Sequence, residues 1–185
     1  KSYYYVDKTL MLRDLLDLGG KVSLFTRPRR VGKTLTLSMI RTYFEQEITE
    51  KGEMVDNRRY FQGMKILETG PEYTDQMGRY PVIFLTLKSA KQPDYQMAYS
   101  MLIRQIALEY DRHKYVLLGE SLSDLEKQHY RKILAMAEDA SLYVDSMYFL
   151  SRCLAKYHHR NTIVLIDEYD VPLENAFFAG FYDQM

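Results

Sequence analysis

The chain has 185 residues, 46% of them apolar and 27% charged, with Lys+Arg and Asp+Glu balanced at 25 each. This is the composition of a folded domain, and zero net charge gives no global pull towards nucleic acid or an anionic membrane, so any polyanion site has to be local. The single cysteine, Cys153, excludes an internal disulfide and suits a reducing cytoplasm, and no apolar run approaches the roughly 20 residues of a membrane span.

No repeat, low-complexity tract or flexible linker divides the chain, so one domain is expected. The stretch YYYVDKTLMLRDLLDLGG opens β-prone and continues as a short helix. Asp7 or Thr9 stands near its start, Leu10, Leu12, Leu15 and Leu16 face inward, and Gly19-Gly20 stop it. KVSLFT (21–26) reads as a short buried strand. From Lys33 to about Glu45 the spacing of Leu35, Leu37, Ile40 and Phe44 suits a helix. Residues 47–78 are less regular, with short helical pieces. YPVIFLTLK (80–88) is a second strand, helices are expected near 93–112, 122–138 and 143–158, and NTIVLIDEYD (161–170) is a third strand. The rest reads as loop and helix. Strands alternate with helices and their apolar runs are continuous, which points to an α/β fold with a parallel sheet covered on both faces.

Between the first strand and the first long helix lies TRPRRVGKT (26–34). Gly-Lys-Ser/Thr alone turns up by chance in roughly one chain in ten of this length. Here a strand precedes it and a helix follows, which is the context a phosphate-binding loop requires. That placement aims the free N–H groups and partial positive charge of the helix start at phosphate. Gly32 admits close backbone approach. Lys33 would bridge the outer phosphates, and the Thr34 hydroxyl would bind Mg²⁺. The usual pattern has glycine at 27, where this chain has Arg27, and Pro28 contributes no N–H. The cradle then rests on the segment from Arg29 through Arg30, Val31, Gly32, Lys33 and Thr34 to Leu35. Arg29 and Arg30 either add charge-assisted contacts to phosphate or are solvated loop residues.

The third strand ends in three acids within four residues, Asp167, Glu168 and Asp170. Asp167 falls at the C-terminal end of a buried strand, the edge where open α/β sheets bind ligands. A carboxylate there would hold Mg²⁺ through its water shell. Glu168, one residue on, would polarise a water for attack on the γ-phosphate. Asp170 reads as a turn residue, since Pro172 follows.

The segments YYVDKTLMLRDLL, LFTRPRRVGKTLTLSM, YPVIFLTLK and IVLIDEYDVPLENA resemble the AAA-ATPase-like family. This is a branch of P-loop ATPases often joined to a C-terminal PD-(D/E)xK nuclease-like region. In that family the loop itself reads close to TRPRRxGKT, so Arg27 follows the family's variant. The resemblance implies a three-layer P-loop NTPase of the additional-strand type. Its ligands are ATP and Mg²⁺, with Lys33 and Thr34 as phosphate and metal ligands, Asp167 as the Walker B metal partner and Glu168 as catalytic acid, alongside Lys33 in catalysis. YYVDKT would pack near the base. The resemblance also implies a further strand between the P-loop strand and the Walker B strand. It normally follows Walker B, and YDVPLENAFFAGFYDQM does not supply it. The 185 residues are therefore expected to be the N-terminal portion of one ATPase domain, truncated after the Walker B strand. Sensor, lid, arginine finger and nuclease-like region would lie elsewhere, and the sheet would have an unfilled slot.

The function expected is Mg²⁺-dependent ATP binding and hydrolysis; the alternative is a nucleotide-gated switch with little turnover. The absence of Asn-Lys-x-Asp favours ATP over GTP. Partners are the nucleotide, with further copies of the chain or another protein also considered, nucleic acid only through regions outside these residues, and no membrane. His158-His159 read as surface residues at a helix end, Cys153 as a buried inert thiol, and Lys88-Ser89 as an approach loop. Arg58-Arg59 and residues 111–114 read as solvated charge.

Overall fold

The structure, a computed structural model, describes residues 6–26 and 32–185. The β-prone opening to residue 5 and the loop residues Arg27, Pro28, Arg29, Arg30 and Val31 lie outside the described residues. The elements are α1 (Leu10–Leu18), α2 (Lys33–Phe44), α3 (Pro71–Thr74), β1 (Val82–Thr86), α4 (Tyr95–Arg112), α5 (Asp124–Leu134), α6 (Ser141–Val144), α7 (Ser146–His158), β2 (Ile163–Asp167) and α8 (Val171–Ala179). Short 3₁₀ turns at 58–61 and 65–68 fill the irregular region.

β1 and β2 pair in parallel, with Val82 opposite Ile163 and Thr86 opposite Asp167. The side chains of β1 alternate between two cores, and one face of β2 joins the first of them. Val82 and Leu165 join Leu12, Leu37, Ile40, Tyr43 and Phe44 from α1 and α2. Ile83 and Leu85 join Tyr110, Tyr130, Ile133, Leu150 and Leu154 from α4, α5 and α7. Helices thus cover both faces of β1. β2 is covered on one face only: Val164 and Ile166, pointing away from α2, are each 45% exposed.

Buried tyrosines keep their hydroxyls satisfied by donating to carbonyls. Tyr43 reaches Tyr73 O at 2.9 Å, Tyr110 reaches Ser146 O at 2.6 Å and Tyr130 reaches Tyr110 O at 2.7 Å. α5 opens with a capping box in which Ser123 and Glu126 exchange side-chain and backbone bonds. α1 starts at a pin rather than a cap. Asp7 accepts from Thr9 at 2.6 Å and from Lys65 N at 2.9 Å, and Thr9 Oγ1 accepts from Ile66 N at 3.2 Å.

Several expectations need correction. KVSLFT is not a strand: Val22 is 90% exposed, and residues 21–26 carry no ladder. A strand exists only beside a partner, and a cavity separates this segment from β2. Leu35 is not inward but 60% exposed. Residues 111–114 are not all solvated, because Arg112 and His113 belong to a buried network.

That network closes the outer edge of β1. Val82 O and Phe84 N point away from β2, where an unpaired edge would be sticky. Arg112 Nη2 donates to Val82 O at 2.6 Å, and Glu109 Oε1 accepts from Phe84 N at 2.7 Å. Arg112 also pairs with Glu109 and with Glu45, and Arg41 Nε reaches Glu45 at 2.8 Å. Burial alone would raise the Glu109 carboxyl, but hydrogen bonds from His113 and Arg112 and the Arg112 charge outweigh it and hold its pKa at about 2.

A chain of hydrogen bonds continues from here. His113 bonds Val82 O and Tyr115 OH, each at 3.1 Å. Tyr115 OH meets His158 at 2.8 Å, and His158 meets the Gln46 amide at 3.0 Å. Burial holds both imidazoles neutral, with His158 pushed down to about 4. Neutral rings and one hydroxyl supply three protons for four links, so Gln46 must turn its NH₂ towards His158. His158 is thus an internal link in this chain and not the surface residue expected, while His159 is exposed in the left-handed position that ends α7. Cys153 is buried as expected, its thiol pushed up to about 12.

Candidate functional site

The C-terminal end of β2 and the N-terminal end of α2 meet. Thr34 Oγ1 donates to Asp167 Oδ2 at 2.7 Å across 133 residues of sequence. β2 carries Asp167 there in register with Thr86, and Leu165, two residues earlier on the same face, packs in the core that α2 covers. Asp167 is 5% exposed, so the Thr34 hydroxyl compensates an otherwise costly buried carboxylate.

The start of α2 is shaped by Gly32, with φ +84°. A side chain would find space there but would strain the left-handed backbone. Thr36 N closes the first turn on Gly32 O at 2.9 Å. The N–H groups of Lys33, Thr34 and Leu35 have no acceptor among the described residues. They form three free donors at the positive end of a 12-residue helix, beside a lysine and next to a hydroxyl–carboxylate pair. The donor set fits a polyphosphate with a hard cation.

Glu168 follows Asp167 with φ +54°. For a glutamate this is an uncommon backbone state, of the kind that clusters at functional sites. The turn is held by Leu87 N on Asp167 O at 3.0 Å and Val171 N on Glu168 O at 3.1 Å. α8 then begins, with Asp170 at its N-cap position, in keeping with the turn expected for it.

Gly32, Lys33, Thr34, Asp167 and Glu168 all line one cavity of about 2050 Å³. Its walls are residues 20–26 on one side and β2 with the start of α8 on the other. Leu35 does not line it, so only its backbone N–H can serve there. Lys88 and Lys91 line it too. Lys88, expected in an approach loop, thus reaches the site, and its place just beyond β1 at the ligand-binding edge is the sequence signal for that. Tyr169, 53% exposed, lines the cavity without any sequence cue.

The whole chain, residues 1–185, matches the model of the family described as predicted AAA-ATPase, and the protein belongs to that AAA-ATPase-like family. No curated protein and no solved structure matches it. No described helix is long and apolar enough to cross a membrane.

Proposed function

We propose that this protein binds ATP with Mg²⁺ at the junction of α2 and β2 and hydrolyses it. The observation that carries the reading is the 2.7 Å bond between Thr34 and Asp167 beside three backbone donors that have no acceptor among the described residues. Lys33 and the α2 donors bind and stabilise phosphate charge. Thr34 and Asp167 hold the metal, which when bound supplies charge neutralisation at the phosphates. Glu168 orients and takes the proton of the attacking water. The same reading assigns Arg29, Arg30 and Val31 to phosphate binding.

The same reading assigns the fold to the three-layer P-loop class, with a further strand between residues 21–26 and β2. Support comes from the two edges of the sheet. β1's is closed by Glu109 and Arg112, whereas β2's backbone groups at Val164 and Ile166 have no partner among the described residues and face the cavity. At about 2050 Å³ that cavity also exceeds the roughly 300–1,000 Å³ of a small-molecule pocket.

Glu168→Gln tests the catalytic assignment. It should retain tight Mg-ATP binding while turnover falls by at least about 100-fold, the scale of a lost general base. Unchanged turnover would remove Glu168 from the mechanism. Wild-type binding without turnover would favour the nucleotide-gated switch.

A further inference from the structure

Three arginines that the nucleotide reading leaves unused converge on a second cavity. It holds about 440 Å³ and is lined by Arg58, Arg79, Arg160, His158, Gln46 and Met54, with no carboxylate in its lining. It shares no lining residue with the large cavity. Arg79 and Arg160 each stand three residues ahead of their strands, β1 and β2. The cavity therefore sits at the strand starts, the opposite sheet edge from Thr86 and Asp167.

None of the three guanidinium groups has a salt bridge among the described residues. Arg79 spends only Nε, on Asp75 O at 3.1 Å, which leaves both terminal nitrogens for a ligand. Arg160 lies 6.0 Å from the centre of the Tyr80 ring. Arg58 is anchored through its backbone N–H on Asp56 at 2.9 Å. The floor is tied down at Gln46: with its amide turned as argued above, its NH₂ donates to His158 Nδ1, and Met54 Sδ lies beside its other end. Three guanidinium groups without a salt bridge among the described residues, around one concavity in a chain of zero net charge, raise the local potential for anions.

We propose that this cavity binds a small phosphate-bearing anion of at least two negative charges. Planar guanidinium forks match phosphate oxygens bidentately. The volume falls within the ~300–1,000 Å³ typical of small-molecule pockets. Extended single-stranded nucleic acid fits less well, because among the described lining residues His158 alone has an aromatic ring, where a stacking platform needs one for each successive base.

The test is calorimetric titration with inorganic pyrophosphate in low salt. Lys33→Ala is used as the background, so that binding at the α2 site does not contribute. Lys33→Ala should bind pyrophosphate at one saturable site. Adding Arg79→Gln and Arg160→Gln should weaken that site by at least about tenfold, the scale of losing charge-assisted bonds. Arg58→Gln should weaken it by less. All three arginines are exposed, so an unchanged thermal midpoint confirms that the variants fold. Absence of binding in Lys33→Ala, or unchanged affinity in the arginine variants, overturns the proposal. A short single-stranded oligonucleotide that displaces pyrophosphate at lower concentration than pyrophosphate itself overturns the small-anion assignment.

Discussion

Glu109→Ala is the sharpest probe of how the sheet edge is closed. The Glu109 carboxylate accepts from Phe84 N at 2.7 Å and pairs with Arg112, which in turn covers Val82 O. Orphaning a buried donor costs about 1–3 kcal/mol, and removing one half of a buried ion pair costs about 3–5 kcal/mol. The two overlap, because one carboxylate does both jobs. Arg112 is 25% exposed and keeps Glu45, which lowers the total. About 3 kcal/mol is expected, and at about 2–4 °C per kcal/mol for a chain this size the midpoint should fall by about 6–12 °C. Glu109→Gln keeps an acceptor for Phe84 N–H and should lose about half as much. Asp111→Asn, two residues further along α4 in a largely exposed pair with Lys114, should leave the midpoint unchanged. Thermal unfolding followed by circular dichroism measures all three. A fall of less than about 2 °C for Glu109→Ala would refute the claim that this carboxylate seals β1.

Three further outcomes follow from the same structure. Acid should weaken the fold before any carboxylate matters. His113 and His158 are held neutral in the folded chain, the latter with a pKa near 4, against an ordinary value of 6.5. Below pH 6.5 the unfolded chain takes up protons that the fold refuses, so the midpoint should drop from about pH 6.5 towards 4, and His158→Gln should flatten that slope. Mg-ATP at 100 times its Kd should add about 2.7 kcal/mol, or about 5–11 °C, in a thermal-shift assay, and Lys33→Ala should abolish the gain. Val164→Lys, on the open edge of β2, should reduce self-association in light scattering, as a charge does on any exposed strand edge; unchanged scattering would mean that this edge is not exposed in solution.

The sequence made the helices and both ladder strands legible because their signals are local. Gly19 ends α1, the Ser123–Glu126 box starts α5, and VIFLT and IVLID are continuous apolar runs. The meeting of Thr34 with Asp167 was legible from a strand–loop–helix order and an acid-terminated strand. What escaped was non-local. Residues 21–26 have strand composition, but no neighbour in the described structure pairs with them. Arg112 and His113 looked like a charged surface patch because nothing in their spacing shows that Val82 O and Phe84 N need partners. The internal place of His158 depends on Tyr115 and Gln46, distant in sequence. The arginines at 58, 79 and 160 share no motif, and only the fold brings them to one cavity.

On the proposed function, a metal–triphosphate complex sits between the start of α2 and the end of β2. Titrating Mn²⁺-ATP into isotopically labelled protein and reading paramagnetic broadening of amide signals tests it directly. Signals from Gly32 to Leu35 and from Ile166 to Tyr169 should be lost selectively, with Tyr130 and Cys153, in the opposite core, left sharp. Sharp signals at Thr34 and Asp167 under saturating Mn²⁺-ATP would contradict it.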